Sequence, residues 1–551
     1  MQTYPMHNHP ASHHRRATRL AALLTALVLA SCGSTPTPQS TASGAPTTAP
    51  TASGAATAAP GASPTASPTD APTPAPTATP TPTAPTGSFP LAVVVHNTDL
   101  REITSSGALV SAAANGSLIL PCGLATLKIG KSTAKVSTAC TAASAIPAKL
   151  AKNPKSMALL PAALVDPRVK VLVVDGADLF GNTVVRTEKY PVVATATDGT
   201  TDLTTADVAY DANDVRTIVS TGDTCPDRSV SLWANVKGKG WDWTLQGGWA
   251  RYTGSYMSSF GWKTMSAKRT GEGIGAVWNM IKDADLAVND FECPMVSWFT
   301  QHAHGTYFTI DPKVATLLGN VGMDFASLGS NHGTDLGADG IKQTLDLLDK
   351  AGVKYSGMGM NLAEAMKPAV FDVRGMKIAF ISWDATGSSR AATKTTPGEL
   401  HPGATNVRKT IALAKAASDM VILMPQWNWP EYSAPFSATA LRQRDLWFKS
   451  GVDHILGSGT HWASAISVTK PDPAKGYQLA ITSHGNFLFG QMWSRQTQEG
   501  LIYEVTFRGK TLVQVRGHAY TVVDGGQPNL IEPTTDGAFV QNQVFKVSDL
   551  P

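Results

Sequence analysis

Short apolar runs recur along the chain from Phe89 onward, each closed by a turn residue or a polar pair. "LAVVVHN" (91–97) and "VKVLVVDG" (169–176), the second ended by Gly176, read as strands of a first folded region. From about Asp214 the period alternates. "RTIVSTGD", "DLAVNDFE", "KIAFISWD", "MVILMPQ", "DHILGSG" and "QLAITSHGN" read as strands. Between them lie helical patterns. "DGIKQTLDLLDKAGV" sets Ile341, Leu345 and Leu348 on one face, with Gly352 as C-cap. "NVRKTIALAKAAS" is a second helix, and "SATALRQRDLWFKSG" a third with Ser437 as N-cap. "LIYEVTF" and "TLVQVRGHAYTVV" close the series as an antiparallel pair. This alternation predicts an α/β body with a buried, largely parallel sheet, whose ligands sit beyond the carboxyl ends of the strands.

Those ends are polar. Asp223 follows the first run; Asn289, Asp290 and Glu292 the second. Asn331, His332 and Asp335 follow "MDFASLGS". Gln426, Asn428 and Glu431 end a fourth run, His461 a fifth, and His484 and Asn486 a sixth. Caps and turns account for any one of these alone, but six strands delivering them to one edge suggest a site. Carboxylate, imidazole and amide oxygen together suit Mn²⁺, Fe, Mg²⁺ or Zn²⁺. A pair of such ions can activate water and stabilise both oxygens of a displaced phosphoester.

Composition divides the chain. Arg15, Arg16 and Arg19 precede an apolar run, Leu20–Ala30, too short to span a bilayer, which ends in "LASC". Residues 1–31 therefore read as a lipoprotein signal peptide, with Cys32 the lipid-bearing residue and a membrane the expected anchor. Residues 32–88 are almost wholly Pro, Thr, Ala, Ser and Gly and read as a disordered tether. Residues 89–213 read as a small α/β domain, 214–531 as the main body and 532–551 as a tail. All 13 tryptophans lie between Trp233 and Trp493, so composition shifts at the body's start. The aromatic stretch "GWDWTLQGGWARYTGSYMSSFGW" suits either a lid over the sheet or a face for sugar rings. The net charge of +4 is small and, with export expected, no nucleic-acid partner is expected. Besides Cys32 the chain has Cys122, Cys140, Cys225 and Cys293, enough for two disulfides in an oxidising compartment, with connectivity open.

Two resemblances extend this reading. "SMALLPAALVDPRVKVLVVDG" and "YPVV" look like part of a type 2 periplasmic solute-binding domain, without a clear anion-binding loop. "TGDTCPDR", "DLAVNDFECPM", "SNHGTDLG" with its helix, "QWNWPEY", "DHILGSGTHW" and "SHGNFLFGQ" occur in the order of the capsule-synthesis CapA (poly-γ-glutamate) family. That family resembles the calcineurin-like metallophosphoesterases. The resemblance implies a metallophosphoesterase-like sandwich and an exported protein acting on a cell-envelope or capsule polymer. It implies one or two divalent ions held by Asp223, Glu292, Asn331, His332 and His461. It gives His332, Asp335 and Asn486 catalytic or orienting roles, with Asn289, Asp290, Gln426, Glu431 and His484 around them. Gln426 and Ser458 stand where the family has histidines. A non-catalytic polymer-binding module is the competing reading, and a solute-binding role for the first region a weaker third. Cys225 and Cys293 flank two expected ligands, as a disulfide locking their loops or with one thiolate as a substitute ligand.

Overall fold

The computed structural model describes residues 86–551, apart from 135, 137–138, 186, 198–201, 428–430 and 471–475. The signal segment, Cys32, most of the tether and Asn428 lie outside the described residues.

The body is a two-sheet sandwich, as the family resemblance implies, where the strand pattern alone predicts one sheet. Strand Val215–Cys225 is central to a ten-stranded sheet. It pairs in parallel with Leu286–Phe291 and Asn486–Phe489 and antiparallel with Glu499–Arg508. The parallel side continues through Phe325–Ser327 to Lys354–Ser356. The antiparallel side runs through Thr511–Val523 and Gln527–Ile531 to a hairpin, Trp249–Met257 and Lys263–Arg269. The second sheet has six strands. Its parallel core is Met376–Asp384, Met420–Gln426, His454–Leu456 and Gln478–Ile481. Both sheets are mixed rather than largely parallel, since apolar periodicity identifies a strand without fixing which sheet or direction it joins.

Residue alternation explains the layers. Ile218, Val288 and Phe325 of the first sheet pack on Phe380, Met424, Leu456 and Ile481 of the second, forming the dry interior of a sandwich. On the outer face of the first sheet, Val219, Ala287 and Ala326 meet helices Lys313–Val321 and Gly337–Ala351. On the outer face of the second, Val421, Leu423 and Ile455 meet helices Ala404–Ala417 and Ala438–Ser450. Gly352 caps its helix in the left-handed conformation, and Ser437 accepts from the Ala440 N–H, as their positions predict.

The chain beyond residue 531 is no loose tail. Helix Ala538–Val547 buries Val540 and Val544 in the sandwich core. Residues 86–213 form a mixed α/β lobe around a seven-stranded, predominantly antiparallel sheet. A buried charge cluster joins lobe and body. Arg516 donates to Asp178 and Glu504, and His518 bonds Glu102 through Nδ1 and Glu504 through Nε2, both at 2.8 Å. With a carboxylate on each nitrogen, the ring is an imidazolium. Cys122 pairs with Cys140 and Cys225 with Cys293, at Cα separations of 4.9 and 5.3 Å. No described helix is long and apolar enough to cross a membrane.

Candidate metal centre

The parallel strands of both sheets end on the same side, and their polar residues meet there. Asp223 lies in register with Asp290 on one neighbour and with Asn486 on the other. Gly222 makes this possible: a Cβ there would stand 1.9 Å from the Gly485 carbonyl oxygen. That carbonyl accepts from the Asp223 N–H at 3.1 Å. One strand over, the Glu292 N–H donates to the Thr224 carbonyl, and the Cys225–Cys293 disulfide closes the end of the ladder.

Asp223, Glu292 and His461 each offer a ligand atom, and the three atoms lie within 4.8 Å of one another. Both oxygens of Asp223 and both of Glu292 are buried without a hydrogen-bond partner. Uncompensated buried carboxylates are costly, so this set fits a divalent cation by charge and by donor type. The same crowding acts on protonation. Burial, then the charge of Asp223, raises the Asp290 and Glu292 carboxyls well above the ordinary range. Asp290 lies against Ser458, Ser327 and Glu292, close enough for each to act on its charge, with no well-formed hydrogen bond among them.

His461 is held by Asn486. The Asn486 Nδ2 donates to the Thr497 carbonyl at 3.0 Å and to Gln491 Oε1 at 3.2 Å, which fixes the amide's orientation. Its Oδ1 therefore faces His461 Nδ1 at 3.0 Å as an acceptor. Nδ1 carries the hydrogen and Nε2 keeps the lone pair that a cation requires. Asp223 Oδ2 stands 3.1 Å from the same Nδ1. Asn486 is thus a positioning residue.

The other expected ligands are distributed differently. His332 is not part of the three-residue cluster; its Nδ1 bonds Asp335 Oδ2 at 2.9 Å and its ring meets Phe308 edge-on, partly exposed. Asn331 presents a buried Oδ1 without a partner, while its N–H donates to Gln426 Oε1. Gln426 and Ser458, which the resemblance sets where the family has histidines, are bridge partners and both buried. Glu431 stands near enough to raise Glu292 further. Asn289 precedes Asp290, and strand alternation turns it toward the helix layer; its amide is buried without a partner.

His484 lies outside the cluster. Its Nδ1 donates to the Gly457 carbonyl at 3.0 Å, its ring packs on Tyr503, and burial pushes it down to about 4. It is a neutral core histidine. Both cysteines beside the ligands are spent in the disulfide, so neither thiolate substitutes for a histidine.

Sequence reasoning missed Glu399, buried in a two-residue strand after "TTP". Its Oε2 accepts from the Ser330 N–H at 2.7 Å, propping the loop that carries Asn331 and His332. Asp384, at a strand end, accepts from Thr386, Gly387 and Ser389 and orders the adjoining loop. Glu399 has no pattern to reveal it; Asp384 sits where the strand-end rule points.

Residues 217–491 match the family described as bacterial capsule synthesis protein PGA_cap. The chain belongs to this family. It is 24% identical over 276 residues to the capsule biosynthesis protein CapA of Bacillus anthracis, covering 48% of this chain and 65% of that protein. It is 26% identical over 230 residues to the PGA biosynthesis protein CapA of Bacillus subtilis (strain 168), covering 40% of this chain and 58% of that one. The chain thus spans less than two thirds of either relative. Among solved structures it is similar to the calcineurin-like phosphoesterase YfkN of Bacillus subtilis, at 12% identity and a TM-score of 0.29, covering 60% of this chain and 98% of that one. A putative 5'-nucleotidase from Staphylococcus aureus is similar at 10% identity and a TM-score of 0.28, covering 47% and 49%. Within this PGA_cap domain, Asp223, Glu292 and His461 make up the candidate metal site, and Gln426 and Ser458 are buried bridge partners.

Proposed function

We propose that the chain is an exported, lipid-anchored metal-dependent hydrolase or transferase that acts on a cell-envelope polymer through one divalent cation. The observation that carries this is the pair of buried carboxylates of Asp223 and Glu292, whose oxygens make no hydrogen bond, with a ring nitrogen of His461 close to both. Those three residues would hold the ion, and when bound it supplies Lewis-acid polarisation of an oxygen at that point. His332, oriented by Asp335 at the partly exposed mouth, gives or takes a proton at Nε2. Asn486 holds the His461 ring, and Glu399 holds the Asn331–His332 loop. Export is supported by two disulfides, which persist in oxidising compartments, and by the "LASC" ending before Cys32. The capsule-biosynthesis relatives support an envelope polymer as substrate.

A second reading, a non-catalytic polymer-binding module, is favoured by the paired replacements Gln426 and Ser458. Elemental analysis of the purified chain after reconstitution with Mn²⁺ separates the two. Stoichiometric metal that is lost in Asp223→Asn supports the enzyme reading. Absence of stoichiometric metal in the unmodified protein refutes it.

A further inference from the structure

Six described non-glycine residues lie in the left-handed backbone region, and three of them are Arg228 (φ 47°), Tyr432 (φ 55°) and His461 (φ 60°). Bulky residues hold this conformation only where their surroundings over-determine it, and such residues gather at ligand sites. These three meet. The Tyr432 ring is 5.7 Å from His461 and 6.1 Å from Trp493. The Arg228 guanidinium carbon lies over Phe308 at 4.8 Å, Phe489 at 5.4 Å and Trp493 at 5.8 Å. Phe489 touches His461 at 5.3 Å, and Phe308 touches His332 at 4.9 Å. One guanidinium therefore rests on rings that contact both histidines of the candidate site.

The protein leaves most of that cation unused. Arg228 Nη2 donates to the Gly305 carbonyl, but Nε and Nη1 are buried and donate to nothing. The adjacent Asp227 is committed elsewhere. Its carboxylate accepts from the backbone N–H groups of Arg228, His302 and Thr309 and bonds His302 Nδ1 at 2.6 Å. A partly buried guanidinium on aromatic faces, with two buried donors unmet, is built for an oxyanion.

The rings continue outward. Trp262, at the tip of the hairpin Trp249–Met257 and Lys263–Arg269, is 38% exposed and meets Tyr432 at 6.0 Å. Phe260, 68% exposed, packs on Trp493 at 5.3 Å. Exposed rings grouped at the mouth of a polar site mark a binding surface, and a flat π face suits the C–H face of a sugar. A polyglutamyl chain has carboxylates for Arg228 but no ring for this wall.

Resting on the metal-site reading above, we propose a substrate subsite beside the Asp223–Glu292–His461 centre, formed by Arg228, Tyr432, Trp262 and Trp493. It takes a sugar ring bearing an oxyanion, so the substrate is an anionic glycan. The test is binding to the full chain, followed by tryptophan fluorescence and calorimetry, in EDTA and in Mn²⁺. The probes are N-acetylglucosamine 1-phosphate, glucuronic acid, neutral N-acetylglucosamine and poly-γ-glutamate.

An anionic sugar should bind saturably and more tightly than the neutral sugar and poly-γ-glutamate. Arg228→Lys should weaken it roughly tenfold or more, since the planar donor array is lost while the charge stays. Trp262→Ala, at an exposed position, should weaken it roughly threefold or more and serves if Arg228 variants fail to fold. Binding of the phosphate alone assigns a phosphoglycan, and of the uronate alone a uronate polymer; both uphold the subsite. The proposal is overturned if poly-γ-glutamate binds as tightly as the anionic sugars, if none binds, or if affinity is unchanged in the variants. Binding in EDTA is scored apart from metal content, so failure of the metal reading leaves the subsite result standing, and the reverse.

Discussion

Replacing Cys225 and Cys293 together by serine tests whether their disulfide is a staple for the whole fold or a local lock on the cation site. The bridge spans 68 residues of chain. Closing a loop of that length costs the unfolded ensemble about 4 kcal/mol in the chain-entropy account. For a chain of this size about 1 kcal/mol moves the midpoint by roughly 1 °C, so the variant should melt roughly 4 °C lower. A local effect should come on top. Asp223 and Glu292 lie two residues and one residue from the two sulfurs, and parallel pairing between their strands ends at Thr224 and Phe291. Beyond that point one hydrogen bond, from the Glu292 N–H to the Thr224 carbonyl, and the disulfide keep the loops together. Manganese affinity should therefore fall by roughly tenfold as two oxygens lose their fixed spacing. Calorimetric titration with Mn²⁺, well below the variant's melting temperature, separates the two effects. A variant that melts lower but binds Mn²⁺ with unchanged affinity would refute the local lock.

Three other outcomes follow. Gln426→His with Ser458→His places two imidazoles on neighbouring strand ends opposite Asn331, so bound metal should rise from one to two ions per chain; a ratio that stays at one would show that the second half lacks more than histidines. Burial pushes His518 down, but Glu102 and Glu504 outweigh it and raise it to about 10. A raised histidine stabilises fully below its unfolded value near 6.5, and that contribution disappears as pH rises toward 10. Unfolding free energies from denaturant titrations should fall across that window by up to roughly 5 kcal/mol in the unmodified chain and stay flatter in His518→Gln; parallel profiles would contradict the imidazolium assignment. Glu399→Gln keeps the bond to the Ser330 N–H and should retain metal, whereas Glu399→Ala should loosen the Asn331–His332 loop, read as faster amide exchange at Ser330; equal exchange in both would remove its propping role.

The strand ends were legible because a polar residue after an apolar run is a local signal, and six of them survive into three dimensions at one edge. The division into two sheets came only through the family resemblance, since strand period carries no partner information. His484 drew the eye as a polar residue in an apolar string, yet its bond to the Gly457 carbonyl makes it part of the core. Arg228 was passed over for the opposite reason. In "TCPDR" it reads as a turn cation, and only the convergence of Phe308, Phe489 and Trp493, distant in sequence, reveals where it rests. Likewise the helix within 532–551 was passed over, although Val540, Val544 and Val547 recur at i, i+4 and i+7 and the first two are buried in the core.

The two replaced histidines bear on coordination more than on charge. An imidazole ligand is neutral, so substituting Gln426 and Ser458 removes nitrogen donors while leaving Asp223, Asp290 and Glu292 in place. Burial, then the charge of Asp223, raises Asp290 and Glu292, so a proton or a cation must offset their charge. What changes is where it can sit. Asp223, Glu292 and His461 lie together on one side, and Asn486 holds the His461 ring through Nδ1. On the other side Gln426 turns its oxygen to the Asn331 N–H, using as a structural acceptor the group that replaced a ligand. On the proposed reading, the buried carboxylates carry the charge that a metal would balance while Gln426 serves a backbone N–H, which is the arrangement expected of a site that holds a single ion.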